Sequence, residues 1–350
     1  MRNVVVVGGG VGGLEAALAL CSLAEDRVSV TMLATERHLV YRPLSVGVPF
    51  GKAQLLRAEL AAIAAERGFA LRHERLTAVD LDAQTVTTGT GVRDYDALVL
   101  AIGATATPAV GGALTFTGPR DIDRLRTALE ELASHGGGRV VFAARSMRAW
   151  TLPLFELALH TRTWAQEQRL DVRITIVAPE AQPLGILGET ELPDLLAASR
   201  IEYIAAAPEG TVPGGLWIPA VGQVDGDLVV ALPSLTGPEI AGLPGDRLRF
   251  VPVDEFCRVR GSQNAYAVGD MAAHRIKQGG LAAQQADVAA AAIACAAGAA
   301  VELVPYAPEL SALLSTGAAA VPLRGHTEKV FGRHLAPYLS VHSDLIESTS

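Results

Sequence analysis

Residues 4–20 read VVVVGGGVGGLEAALAL, and this stretch decides the fold of the chain. Four consecutive valines are typical of a strand that is buried on both faces of a parallel sheet. A cluster of glycines follows directly, then residues 14–24 have the composition of a helix and residues 27–33 that of a second strand. A strand, a tight turn, a helix and another strand make one βαβ unit. The sequence therefore predicts an α/β fold built on a parallel sheet.

The turn of this unit has the spacing Gly-x-Gly-x-x-Gly, which is the fingerprint of dinucleotide-binding domains when it joins a strand to a helix. One glycine makes the turn, one lets the backbone approach a pyrophosphate, and one allows close helix packing. The helix N-terminus adds oriented N–H groups and partial positive charge. The residues predicted to contact a dinucleotide here are Gly8, Gly10, Val11, Gly12 and Gly13.

An acidic residue about 20 positions after such a loop is expected to bind the adenosine ribose hydroxyls. Glu36 is our choice for this role, although it lies slightly late and Ala34 is the alternative occupant of the usual position at the strand end. The non-functional alternative is that Glu36 is a solvated carboxylate at the end of a strand.

The pattern of the N-terminal unit recurs in degraded form. Residues 140–143 resemble the first strand, residues 155–159 echo residues 14–18, and residues 175–180 echo residues 31–36. The glycine loop does not recur, because residues 144–150 read ARSMRAW. We predict two Rossmann-like domains, the first discontinuous and the second inserted into it, with a short C-terminal extension. The predicted bounds are 1–111 and 246–304 for the first domain, 112–245 for the second, and 305–350 for the extension.

Further elements are predicted from composition and periodicity. They are helices over 53–67, 121–134 and 279–297, and extended segments over 71–81, 84–88, 95–102 and 264–268.

Composition narrows the classes of function. The chain has 350 residues, 50% of them hydrophobic, and a formal net charge of −8, which fits a globular protein of two ordinary domains. This charge predicts no electrostatic binding of nucleic acid or of an anionic membrane. Aromatic residues make up 5% of the chain, which also argues against a platform for stacking bases.

The cysteines, the histidines and the apolar runs of the sequence each allow a prediction. They concern, in that order, the redox compartment, metal binding and membrane spans. Cys21, Cys257 and Cys295 are far apart and form no CxxC pair, which predicts a protein of the reducing cytoplasm without a sequence-evident dithiol. The histidines have no metal-binding spacing, so we predict no metal site. We also predict no secretory signal. The longest apolar run, residues 288–301, is shorter than the roughly 20 residues that a spanning helix needs.

Four segments together resemble the pyridine nucleotide-disulfide oxidoreductase superfamily, in the family's order. They are residues 4–20, HLVYRPL at 38–44, DYDALVLAIGATA at 94–106, and residues 264–294. Within the superfamily, Arg42-Pro43 and the Lys-Gln-Gly-Gly run at 277–280 are most similar to the branch of sulfide:quinone oxidoreductases and type II NADH dehydrogenases. The resemblance implies that the first glycine loop binds FAD.

The resemblance also implies roles for residues outside the first loop. Asp270, preceded by Gly269, would contact the ribityl hydroxyls, and the following helix would aim its N-terminus at the flavin pyrimidine edge. A reduced flavin carries negative charge at that edge, which a positive helix end and Lys277 would stabilise. Lys277 is therefore a predicted catalytic residue, and a solvent-facing loop lysine is the alternative. The other predicted cofactor contacts are Arg42, Pro43, Ala101, Gly103, Gly279 and Gly280.

Two departures from the family pattern bear on the reaction. The sulfide-oxidising branch carries redox cysteines, whereas the corresponding loop here has none and Cys257 stands alone. Members that oxidise NADH keep a second glycine loop, and side chains in its place would hold the backbone away from a pyrophosphate. Arg145 and Arg148 could still bind a phosphate directly. Trp150, in the same loop, is predicted to lie over the flavin or line a substrate pocket, with simple packing as the alternative.

The sequence thus predicts an FAD-dependent oxidoreductase that passes electrons from a small donor through flavin to an acceptor such as a quinone. Two alternatives remain open: an NAD(P)H-dependent reductase with an atypical nucleotide site, and an inactive flavin-binding partner or scaffold. The apolar cluster Leu310, Leu313 and Leu314 is interpreted as a cover for the flavin or a contact of a homodimer rather than a strong membrane anchor.

Overall fold

The fold is that of a computed structural model, which describes residues 1–146, 150–324 and 332–339. Its strands are β1 (Arg2–Val7), β2 (Val28–Leu33), β3 (His38–Val40), β4 (Arg57–Glu59), β5 (Ala70–Arg72), β6 (Leu76–Asp80), β7 (Thr85–Thr88), β8 (Gly91–Asp94), β9 (Ala97–Leu100), β10 (Thr105–Thr107), β11 (Leu114–Thr115), β12 (Gly137–Ala143), β13 (Asp171–Ala178), β14 (Ile201–Ala205), β15 (Gly210–Val212), β16 (Gly215–Ile218), β17 (Gly222–Asp225), β18 (Leu228–Ala231), β19 (Ser234–Thr236), β20 (Ala265–Ala267), β21 (Ala312–Ser315) and β22 (Ala320–Arg324).

The helices are α1 (Val11–Leu23), α2 (Leu60–Arg67), α3 (Ile122–Ser134), α4 (Leu152–Glu167), α5 (Leu192–Ala198), α6 (Gly279–Ala296) and the single turn α7 (Ala336–Leu339). Short 3₁₀ segments at Arg42–Val46, Val48–Phe50 and Gly269–Met271 shape loops between these elements. In the part of the chain that the structure describes, no helix is both long and apolar enough to cross a membrane.

The first sheet is parallel and has the strand order β20-β9-β1-β2-β5. Alternate valines of β1 enter different cores: Val4 and Val6 pack with α1 and α6, whereas Val5 and Val7 pack toward the antiparallel sheet β6-β7-β8. A strand covered on both faces needs a continuous apolar run, which explains the four valines. We call the cluster on the α1 and α6 side the first core.

The second sheet is also parallel, with the order β11-β18-β12-β13-β14. One of its faces packs on α3 and α4 in a cluster that includes Phe142 and Phe155, which we call the second core. The other face packs on the antiparallel strands β15–β17. Two parallel sheets joined by helices confirm the predicted fold class of two Rossmann-like units.

The structure corrects two expectations about the connecting segments. The helix predicted over 53–67 begins at Leu60, because Arg57–Glu59 pairs as a strand with His38–Val40. In the C-terminal region, β21 and β22 form a hairpin that packs on α4, and Leu314 is fully buried in the second core. Leu314 therefore neither covers a flavin nor offers a dimer contact.

Candidate functional site

The parallel topology brings the predicted site residues to one edge of the first sheet. Parallel strands end at the same edge, and the loops that follow β1, β2, β9 and β20 carry Gly8, Glu36, Ala101 and Gly269. Ligands of open α/β sheets bind at this edge. The sheet order therefore brings together residues that are spread over most of the chain.

The glycine loop passes close to the end of β9. Gly8 has φ +116°, and a Cβ atom there would lie 2.3 Å from the carbonyl oxygen of Ala101. A Cβ on Gly13 would lie 1.8 Å from the Gly8 carbonyl oxygen. A Cβ on Gly12 would lie 3.3 Å from Val268, so α1 approaches β20 and α6 closely. Gly8 and Gly13 are therefore required by the packing of the loop itself, and Gly12 lies in a tight contact.

Gly10 has a different environment. It precedes α1 as its N-cap with φ −81°, makes no side-chain cap, and a Cβ there would have no atom within 4 Å. Open space therefore lies beside the start of α1, where a helix carries unpaired backbone N–H groups and partial positive charge. This geometry fits a pyrophosphate against Gly10 and Val11.

Glu36 lies in an exposed position after β2, where its carboxylate is accessible to a ribose. Ala34, the alternative occupant, is buried, and its N–H donates to the carbonyl of Arg72 at 3.0 Å. An apolar buried side chain cannot bind ribose hydroxyls, so the geometry favours Glu36 for this contact.

Asp270 and Lys277 form the charged part of the site. Asp270 is half-buried, and burial raises the pKa of its carboxyl, opposed by the positive charges of Lys277 and Arg42. Lys277 is buried, its ammonium donates to the carbonyl of Ala272, and its Nζ lies 3.9 Å from the centre of the Phe250 ring. The alternative of a solvent-facing loop lysine is therefore wrong. Arg42 is exposed, beside half-buried Pro43.

Helix α6 points its N-terminus toward the same edge. It begins at Gly279-Gly280 after Gln278, which makes no side-chain cap because its Nε2 donates to the carbonyl of Ser311 at 2.8 Å. The first N–H groups of α6 are thus left for a ligand. Gly103, after β9, has φ +78° with open space at the position of a Cβ. These features fit a flavin whose pyrimidine edge faces the helix.

Gln285 is a residue of the site that the sequence analysis missed. Its Oε1 accepts the backbone N–H of Gly269 at 2.7 Å, and its Nε2 donates to the hydroxyl of Tyr306 at 3.2 Å. It is buried in α6 and fixes the turn that presents Asp270. A polar residue on the buried face of an alanine-rich helix was the available signal.

A cavity of about 730 Å³ lies between the two sheets' loops. The second sheet's side contributes Ser146 and residues 233–236, and the first contributes Phe250, His274, Arg275 and Lys277. Its volume is within the range of small-molecule sites, roughly 300–1,000 Å³. The walls combine apolar side chains with Arg275 and Lys277, and the Asp246 carboxylate in the same wall accepts the N–H groups of Leu248 and Phe250.

His274 in this cavity was also missed. Its Nε2 is buried and has no hydrogen-bond partner within the described ranges, and its ring lies 5.0 Å from that of Tyr306. Burial, and then the charge of Lys277, lower the pKa of the imidazole below its ordinary value, which keeps it neutral. A neutral imidazole can donate or accept a proton at a bound molecule.

The loop after β12 differs from a glycine cradle. Arg145 is exposed, with its Nη1 3.4 Å from the carbonyl of Ala109, and Arg148 lies outside the described residues. Trp150 is half-buried and packs against the second core, and it is not among the residues that line the cavity. Its predicted place over the flavin stays a prediction.

Glu180 occupies, after β13, the place that Glu36 occupies after β2. It is buried, and its Oε1 accepts the hydroxyl of Thr151 at 2.7 Å. A carboxylate enclosed in this way is not presented to a ribose. Within the described residues that follow β12 and β13, the place of Glu36 is thus taken by an enclosed carboxylate, and the sequence there has no glycine loop.

All three cysteines are free thiols. Cys257 is fully buried, and burial raises the pKa of its thiol to about 12. Burial also raises the pKa of Cys21. Thiolates are the reactive form, so neither residue is suited to sulfur chemistry. Cys295 is exposed and unpaired.

Comparison with known proteins finds one matching family model and several relatives. The family model described as pyridine nucleotide-disulphide oxidoreductase matches residues 2–141. The chain is 24% identical over 267 residues to a sulfide-quinone reductase of Aquifex aeolicus, an alignment that covers 71% of the chain and 62% of that relative. It is 27% identical over 302 residues to an NADH dehydrogenase-like protein of Mycobacterium tuberculosis, covering 79% and 74% of the two proteins.

The fold is shared with the solved structure of sulfide:quinone oxidoreductase from Aquifex aeolicus. The TM-score is 0.82 at 23% identity, and the superposition covers 92% of this chain and 83% of that one. The motifs, the two parallel sheets and the glycine cradle agree with these matches and with FAD as the cofactor. The chain is thus similar, in its first 141 residues, to the pyridine nucleotide-disulphide oxidoreductase family and, over most of its length, to a sulfide-quinone reductase and an NADH dehydrogenase-like protein.

Proposed function

We propose that this protein is an FAD-dependent oxidoreductase that passes electrons from a small anionic donor to an acceptor such as a quinone, with the cavity beside Lys277 as the place of exchange. The observation that carries the proposal is the cavity itself, whose wall joins Lys277 and His274 to the loops of the second sheet. The proposed domain bounds, 1–111 with 246–304 and 112–245, put this cavity at the junction of the two domains.

The chain's own residues have separate tasks in this proposal. FAD, when bound, supplies the two-electron chemistry. Gly10, Val11 and the first turn of α1 hold the pyrophosphate. Asp270 binds hydroxyls of the ribityl chain, and Glu36 binds hydroxyls of the adenosine ribose. Lys277, held between Phe250 and the Ala272 carbonyl, supplies a fixed positive charge with little reorganisation.

His274 is proposed to exchange a proton with the molecule in the cavity. Quinone reduction consumes two protons, and the neutral imidazole presents an Nε2 without another partner in the described part of the chain. Leu235, Leu248 and Phe250 offer apolar surface for a ring. Arg275 and Lys277 favour an anionic donor at the same place.

The proposed class of electron donor is based on two features: the loops of the second sheet, and the environment of the cysteines. Ser146 and Arg145 replace glycines, and Thr151 occupies the Glu180 carboxylate, which disfavours a nicotinamide nucleotide. The raised pKa of Cys257 disfavours a cysteine-based attack on sulfur. A donor that transfers electrons directly to the cofactor, without a protein thiol, is consistent with both features.

The test is anaerobic mixing of the purified holoprotein with sulfide, NADH or NADPH in separate experiments, followed by a short-chain quinone. The visible flavin absorbance is recorded in each step. We expect loss of absorbance with a small anionic donor such as sulfide, slow or absent loss with either nucleotide, and recovery with quinone. Rapid, saturable loss with NADH or NADPH would establish the nucleotide-dependent alternative instead.

Two variants sharpen this test. The cysteine-free variant C21A/C257A/C295A should keep turnover within about twofold, since no thiol takes part. The variant His274→Phe keeps the ring packing on Tyr306 but removes the proton carrier, and we expect a loss of about 10²-fold or more in the quinone step. An inert flavin with every donor and quinone would support the scaffold alternative.

A further inference from the structure

Three side chains with metal-binding donor atoms lie close together at helix α1, which follows the glycine loop. Glu15 lies in α1, Asp287 in α6, and His334 in the segment 332–339. One donor atom of each lies within 4.8 Å of the other two. Glu15 is fully buried, and Asp287 and His334 are half-buried. The cluster joins the two helices of the first core to the C-terminal segment.

Backbone hydrogen bonds fix this arrangement. The Oε1 atom of Glu15 accepts the N–H of His334 at 3.0 Å, and Oε2 accepts the N–H of Leu335 at 2.7 Å. A Cβ on Gly332 would lie 2.1 Å from Cδ of Glu15, so the chain passes directly against the carboxylate. Leu335 is fully buried in the first core. The imidazole of His334 is thus held near both carboxylates by anchors that do not involve its ring.

The carboxyl groups of Glu15 and Asp287 lie close enough to interact directly, and Arg333 also faces Asp287. The Oδ1 atom of Asp287 is buried without a hydrogen-bond partner in residues 1–146, 150–324 and 332–339. Its Oδ2 lies 3.7 Å from Nε of Arg333, a side chain that is 79% exposed and therefore strongly hydrated.

We propose that Glu15, Asp287 and His334 bind a divalent cation of the zinc class, which joins α1, α6 and the C-terminal segment. An imidazole with two carboxylates is a donor set for zinc rather than for magnesium or calcium, which take oxygen ligands. Zinc bonds to nitrogen and oxygen of about 2.0–2.2 Å allow donors up to about 4.4 Å apart. A side-chain movement of a few tenths of an ångström closes the site. The proposal does not depend on the proposed redox function.

The test is a calorimetric titration of the purified full-length holoprotein with zinc after removal of metals by a chelator. We expect one zinc per chain, unaffected by millimolar magnesium, and a rise in melting temperature. The variant His334→Ala retains the backbone N–H that Glu15 accepts, so it should fold normally and bind zinc at least tenfold more weakly. His73→Ala, which changes an exposed loop histidine, is the matched control and should bind like the wild type.

Glu15→Gln and Asp287→Asn are the second pair of variants, and each should weaken zinc binding at least as much as His334→Ala. Equal affinity of His334→Ala and the wild type would overturn the proposal, as would the absence of stoichiometric binding in the wild type. Flavin content and melting temperature of each metal-free variant show whether it has folded. If the wild-type holoprotein binds one zinc per chain but shows no redox turnover, the proposed function is refuted and the zinc site is not.

Discussion

At the scale of single residues, the glycines of the N-terminal loop differ in whether the fold leaves space for a side chain. Gly8 and Gly13 leave no space for a side chain, whereas Gly10 has open space on that side. The spacing of the motif does not distinguish these roles, because each is a glycine at its expected position. The distinction needs the distance to Ala101 and to the Gly8 carbonyl, which only the folded loop provides.

Replacing Gly10 with valine should weaken cofactor binding at least tenfold without unfolding the protein. The residue has φ −81°, and a Cβ meets nothing within 4 Å, so the fold should lose only about 1 kcal/mol through the poorer N-cap. The valine side chain would occupy the space above the first turn of α1. Titration of metal-free apoprotein with FAD should show at least tenfold weaker binding. Gly89→Ala, also in open space, should bind FAD like the wild type, and equal binding by G10V would refute the cradle.

Lys277→Met should lower the midpoint potential of the bound flavin. Methionine keeps the apolar contact with Phe250 but removes the buried charge. Loss of a charge-assisted interaction of about 1–3 kcal/mol corresponds to roughly 20–65 mV for a two-electron couple. Spectroelectrochemistry of the holoprotein measures this shift at constant flavin content. Lys52→Met, which removes a surface ion pair with Glu167, should leave the potential unchanged, and an unshifted K277M would place the lysine away from the flavin.

The sequence predicts the candidate site residues that belong to motifs, and it does not predict those that only tertiary packing brings to the same edge. The glycine loop, Glu36 and Asp270 follow from spacing and resemblance. Gln285 and His274 carry no motif, because their roles depend on the backbone of Gly269 and on the wall of a cavity. Glu15 likewise lies in a helix that reads as apolar, and its partners Asp287 and His334 come from the other end of the chain.

At the scale of elements, the buried strands and long helices were predicted well because their signal is local. Segments β1, β9 and α6 lie within a few residues of their predicted bounds. The helix expected over 53–67 was partly wrong because pairing of β4 with β3 outweighed the helical preference of residues 53–59. The hairpin β21-β22 had no clear period, since only Ala312 and Leu314 face the core in its first strand.

The hairpin is expected to be part of the second core rather than an appendage. Leu314→Ala removes a fully buried side chain beside α4 and should destabilise the protein by about 2–5 kcal/mol. Leu313, on the other face of the same strand, is partly exposed and supplies the matched control. Denaturant unfolding followed by tryptophan fluorescence compares the two variants. A loss for Leu314→Ala no larger than for Leu313→Ala would show that the hairpin contributes little to the core.

At the scale of the whole molecule, two parallel sheets share one plan but differ in what they present at their carboxyl ends. In both, the first strand of the unit lies between its second strand and a later one. The first sheet ends in an open cradle with an exposed Glu36, whereas the second ends in Arg145, Ser146 and an enclosed Glu180. The degraded sequence repeat predicted this asymmetry, although the enclosure of Glu180 by Thr151 needed the structure.

This asymmetry predicts where removal of FAD loosens the molecule. A ligand that binds only the folded state at 1,000 times its Kd stabilises it by about 4 kcal/mol. The elements that would hold FAD, β1, α1, β9 and the first turn of α6, pack in or against the first core, whereas β12, α4 and β13 pack in the second. Hydrogen exchange of holoprotein and apoprotein should therefore show faster exchange in peptides of the first set and little change in the second. Equal loss of protection in both sets would mean that the two cores unfold as one cooperative unit, and loss in the second set alone would place the cofactor on the second sheet.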